Sequence, residues 1–206
     1  MATVGILFRT MLFTSLPALR NLIGVLAAIP INRREATPAN RSKTMNEQPS
    51  YDEKHSLFYA YNLEAMSATF YRRVNDLSSF LLIILGSAIA AGVLNAVALG
   101  LAVTVISAYQ FTYRPGEAAA KASAQALRYE KLIHKLSFHG MTSSELFSEM
   151  GSLIENDTPP LGVFRNPAYI RAHIALGMET EKVTAEKAKL TRCERFFSAI
   201  SGGIPQ

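Results

Sequence analysis

A single cysteine (Cys193), no tryptophan and little charge mark this 206-residue chain: Asp, Glu, Lys and Arg make up 18%, against about 25% in average soluble domains. One thiol excludes a disulfide-stapled scaffold and a cysteine-rich zinc site, and it fits a reducing compartment. The shortage of charge is local. Residues 77–113, 37 positions, hold no Asp, Glu, Lys, Arg or His. An uncharged run beyond about 18 residues is a membrane candidate, so a plain soluble enzyme is not the default reading. What the chain does have is apolar side chains, 49% of the total, and a mean hydropathy of +0.14.

The formal net charge of +5 suggests nucleic acid until it is located. Residues 1–44 hold Arg9, Arg20, Arg33, Arg34, Arg41 and Lys43 against Glu35 alone, and the remaining 162 residues balance fifteen basic groups with fifteen acidic ones. A phosphate-tracking surface needs clustered positive potential. None follows residue 44, and no nucleic-acid partner is expected. The same 44 residues differ from the rest in texture. Their longest clean apolar stretch, residues 22–31, has the size of a signal-peptide core and is too short to span a bilayer. Residues 32–44 are polar and disorder-prone. A cleaved leader, a peripheral membrane segment and an upstream reading ahead of a start at Met45 all fit, and the change of texture at Met45 favours the last.

Thirty-seven residues exceed one membrane helix and suffice for two short ones. The turn belongs near the middle, and Gly92-Val93-Leu94-Asn95 is the mid-run site that combines Gly with Asn. This predicts helices over about 76–91 and 95–113. At about 1.5 Å per residue, seventeen residues reach about 26 Å, slightly short of a 30 Å hydrocarbon core. Arg72 and Arg73 precede the first helix, Arg114 follows the second, and the turn is uncharged. The positive-inside rule then places both termini in the cytoplasm of a multi-pass protein of the inner (cytoplasmic) membrane, with Tyr109, Phe111 and Tyr113 as an interfacial belt. A soluble bundle with this pair as its buried core is the alternative, opposed by the lack of any charge for a solvated face. Small residues at four-residue spacing, Gly86 with Ala90, Ser87 with Ala91, Ala98 with Ala102 and Gly100 with Thr104, permit close helix contact in lipid. Packing within one hairpin and homo-oligomerisation explain them equally. Ser78, Ser79, Ser87, Thr104 and Ser107 could line a wet path, although such hydroxyls more often bond back to their own helix.

Residues 55–75 carry a helical stripe expected to run unbroken into the first membrane helix. Pro115-Gly116 marks a break, after which residues 117–138 read as helix. Pairing these two helices gives an antiparallel stalk. Residues 140–145 read as a loop with an N-cap before a helix over 144–156, Pro159-Pro160 ends it, and a helix is expected over 168–197. The fold class is therefore all-α: a two-helix transmembrane hairpin extended by a cytosolic helical stalk and short C-terminal helices. Its parts are a leader (1–44), a two-transmembrane domain (45–176) and a C-terminal helix and tail (177–206).

In this order of parts the chain resembles the bacterial two-transmembrane SLATT family, effector domains associated with SMODS and SLOG proteins in conflict systems. The resemblance covers about residues 51–176. It rests on the aromatic, Arg-bearing helix 61–73, the uncharged hairpin, Ala126-Leu127-Arg128-Tyr129-Glu130-Lys131-Leu132, and Glu155-Asn156-Asp157-Thr158-Pro159-Pro160-Leu161. It implies a pore-forming or membrane-disrupting effector without an enzymatic site, homo-oligomeric and restrained by a cytosolic regulatory protein. The competing class is a membrane-anchored adaptor or exclusion factor whose cytosolic helices bind a partner.

Catalytic patterns are not found. His134 and His139 are too isolated for a metal site, Gly202-Gly203 makes no phosphate loop, and Glu145, Glu149, Glu155 and Asp157 read as a solvated helix face. No enzyme activity, cofactor or metal is expected.

Overall fold

The computed structural model describes residues 48–92 and 95–205, so the readings of the leader and of Val93 and Leu94 lie outside the described residues. The chain is all-helical, with no strand among the described residues. Helix α1 spans Tyr51–Ala90, 40 residues and about 60 Å at 1.5 Å per residue. It begins where Ser50 forms a capping box with Glu53: the Glu53 amide donates to Ser50 Oγ, and the Ser50 amide to Glu53 Oε2 at 2.8 Å. The expected continuity of residues 55–75 with the apolar run is present. Helix α1 ends at Ala91 and at Gly92, whose φ of +64° a side chain would resist. Asn95 then caps α2 (Ala96–Tyr113), its side chain accepting from the Val97 amide at 3.0 Å.

Arg114 stands in the left-handed region (φ 43°) between α2 and α3 (Pro115–His139), and Pro115 opens α3 where its missing N–H costs nothing. Two contacts fix the direction of the pair. Gln110 Nε2 donates to Ser79 Oγ at 3.3 Å, and Gly116 lies against the Asn75 side chain. Helix α1 therefore runs antiparallel to α2 and then to α3. Gly140 (φ +65°) turns the chain into α4 (Ser143–Ile154), capped by Thr142 and Glu145.

The helix expected over 168–197 is instead three. A 3₁₀ turn (Gly162–Phe164) leads into α5 (Arg165–Ala175), Gly177 at φ +80° separates it from α6 (Thr180–Lys189), and extended backbone at Leu190 precedes α7 (Arg192–Ile200). A left-handed Gly terminates a helix more strongly than the flanking charges extend one. Thr191 and Glu194 form a fresh capping box that restarts it.

Three apolar clusters hold these elements, all outside residues 77–113. Leu57, Tyr129, Leu132, Met141 and Leu146 join α1, α3 and α4. Met66, Phe164 and Ala168 join α1 to α5, with Phe70 and Phe197 bringing α7 alongside. Ile170, Val183 and Leu190 tie α5 to α6.

Candidate functional site

The charge-free segments α1 beyond Asp76 and α2 are apolar on every side, and one chain leaves them uncovered. Ile83 is 68% exposed, Val97 72%, Val105 67% and Phe111 77%, while Leu99 is the buried large side chain of α2. The two helices that contain these segments are long and apolar enough to cross a membrane, and only 6% of each apolar stretch is buried. A large aliphatic side chain left in water forgoes about 1.5–3 kcal/mol of burial, and a continuous apolar surface of this kind marks a contact with lipid or protein. The soluble-bundle alternative required this pair to be a buried core, and it is not.

The geometry sorts the residues singled out from sequence. An added Cβ at Gly86 or at Gly100 would meet nothing within 4 Å, so neither glycine is kept small by packing inside the pair. Ala90 is the exposed last residue of α1. Ser87 Oγ donates to the Ile83 carbonyl and Thr104 Oγ1 to the Gly100 carbonyl, each at 2.8 Å. These hydroxyls are satisfied within their own helices, whereas Ser107 is simply exposed. Asn95 is a helix cap. Arg72, Arg73 and Arg114 gather at one end, where Asn75 meets Gly116, and the turn lies at the other. Arg73 Nη1 donates to the Ile200 carbonyl at 2.6 Å, tying α7 to that end, and Arg114 makes an exposed ion pair with Glu117 at 3.4 Å.

Two polar clusters in the charged half were not anticipated. In the first, buried Glu64 accepts the Thr158 amide on Oε1 at 2.7 Å while its Oε2 has no partner. Burial raises its pKa above the usual carboxylate range, despite the Thr158 bonds and Lys121. Asp157 next to it is half-buried and accepts from Tyr129 Oη at 2.8 Å and Gln125 Nε2 at 2.9 Å. Of the acidic residues read as one solvated face, Asp157 is therefore a structural acceptor, and burial followed by Asp157 pushes the Tyr129 phenol well up. The second cluster sets His55 and Tyr59 of α1 against Tyr169 and His173 of α5. Its signal was available: each helix carries a His and a Tyr four apart, hence on one face. No group of three or more His, Cys, Asp or Glu among the described residues is arranged to hold a metal ion. No protein-family model, curated protein or solved structure matches this chain.

Proposed function

We propose that the chain is a two-pass membrane protein whose apolar pair spans the inner membrane with both termini in the cytoplasm. It acts as a pore-forming or membrane-perturbing effector of a bacterial conflict or defence system. The carrying observation is the uncovered apolar surface of α1 and α2. Oriented by Arg72, Arg73 and Arg114, the pair leaves α3 to α7 and the first half of α1 as a cytoplasmic body. The open surroundings of Gly86 and Gly100 support self-association through their faces, since close approach there is unused within one chain. The effector role itself follows the resemblance to the SLATT family, with a regulatory protein acting on the cytoplasmic helices.

A second reading is favoured by one observation. Ser87 and Thr104 turn their hydroxyls back to their own helices, as residues of a mere anchor do. In that case the body recruits a partner as an adaptor or exclusion factor. Recording membrane potential in cells expressing the full chain separates the two. The effector reading expects depolarisation, reduced by Gly86→Leu and by Gly100→Leu. Because an added Cβ at either site meets nothing within 4 Å, each variant is expected to keep its hairpin. An unchanged potential on full expression, or depolarisation indifferent to both substitutions, leaves the anchor reading in place.

A further inference from the structure

The first turns of α1 meet α5 through a stack of rings. His55 and His173 lie with ring centroids 4.0 Å apart at an interplanar angle of 36°. Tyr51 Oη is 2.8 Å from His173 Nδ1, and the Tyr51 ring stacks on both histidines. Tyr169 meets both edge-on, at 4.8 and 4.4 Å. The Nε2 atoms of both histidines are buried and have no hydrogen-bond partner. A proton added to either ring thus places a positive charge in buried surroundings, at an Nε2 without a bonded acceptor and beside a second ring that can charge in the same way. The Tyr169 backbone is the hydrogen-bonding group that favours the charged form of His55.

We propose that His55 and His173 form a pH-operated latch: it holds α5 against α1 while both rings are neutral and releases α5 when they take up protons. Charged groups face the stack from each element around it. Asp52 on α1 and Glu186 on α6 attract a proton, and Arg165 at the start of α5 lines the adjoining cleft of about 190 Å3, with Ser56 and Asn166 beside it. No carboxylate is bonded to either ring. Burial is the largest influence on both histidines and lowers both below the ordinary histidine range, against the Tyr169 backbone bond and Asp52 at His55; at His173 the charge of His55 adds to the lowering, against Glu186 and Asp52. The open form binds protons with an ordinary pKa of about 6.5. The closed form is therefore fully favoured above that value and loses its advantage as pH falls through it towards the lowered closed-state pKa values. The cleft, which His55 lines together with Tyr59 and Tyr169, gives protons and water a route to the His55 ring. Helix α5 is tied to α6 through the Ile170 cluster and to α7 by Asn166 Nδ2, which donates to Glu194 Oε1 at 2.7 Å. Release therefore moves this C-terminal part together and parts the Phe70–Phe197 and Arg73–Ile200 contacts of α7 with α1.

Spin labels report the movement. Cys193 on α7 is the native thiol and is exposed, and Lys131→Cys puts a second label on exposed α3. In the full chain in detergent, the distance distribution should be single and narrow at about pH 7.5, and a longer, broader population should grow severalfold by about pH 5.5. His55→Phe keeps the Tyr51 contact to His173 and should weaken the response; His55→Phe with His173→Phe should abolish it. If the double variant does not fold, imidazole NMR of the unlabelled chain decides, since both rings should titrate below about 6.5. A distribution unmoved down to about pH 5, equal growth in the double variant, or midpoints at or above about 6.5 overturns the latch. None of these readings depends on the helical pair being in a bilayer, so failure of the latch and failure of the membrane reading are distinguishable.

Discussion

Glu64 shows how a single carboxyl can oppose the element it supports. Its Oε1 satisfies the buried Thr158 amide, while burial makes its charge costly. A carboxyl whose pKa is raised on folding stabilises below its unfolded pKa and loses that contribution as pH climbs through the folded value. Glu64→Gln keeps the acceptor and removes the charge, so at neutral pH the variant should unfold at equal or higher denaturant concentration than the parent chain. Its advantage should shrink on acidification. Glu64→Ala orphans the Thr158 amide and should cost about 1–3 kcal/mol. Denaturant melts of the three proteins in detergent across the acid-to-neutral range check both the order and its pH dependence. A Gln variant weaker than the parent at neutral pH would mean that the carboxylate is held ionised.

At the level of elements, termini were legible where a local signal is strong and illegible where two signals compete. Thr142 with Glu145, and Gly92 with Asn95, each mark a boundary by short-range chemistry, and the structure uses both. The Ser50–Glu53 box starts α1 four residues before the stripe read over 55–75 and lies outside that reading. The break at Gly177 was hidden because apolar and charged residues keep a helical rhythm on both sides of it, and only backbone conformation reveals the left-handed residue. Thr191 and Glu194 were readable as a capping box, yet they sit inside that rhythm. The apolar pair needed no tertiary information, since 37 uncharged residues announce it. The His and Tyr four apart on each helix were readable, but their stacking needed tertiary information, because α1 and α5 are distant in sequence and only folding juxtaposes them. The cap carries its own prediction: Thr191→Ala should cost about 1 kcal/mol of stability. Protection of α7 amides should fall first, in hydrogen exchange followed by mass spectrometry, with α1 and α3 unaffected. Uniform loss across the chain would show that α7 does not unfold separately.

For the whole molecule, the apolar pair and the clustered arginines make topology testable with one reagent. The chain should stay in the membrane fraction through alkaline carbonate and high salt, and a membrane-impermeant maleimide should reach Cys193 only after permeabilisation. Release by carbonate sinks the spanning pair, and labelling in intact cells reverses its orientation. The two arms leading to the pair are also mechanically unequal. Helix α1 passes from its capping box at Ser50 to Ala90 as one uninterrupted helix, whereas the return path changes hand at Arg114. One arm is a drive shaft and the other a jointed strut. A displacement where α5 packs on the start of α1 is therefore expected to be carried along one hydrogen-bonded helix towards the far turn, whereas the left-handed residue at Arg114 is the point at which the return path between α2 and α3 can bend.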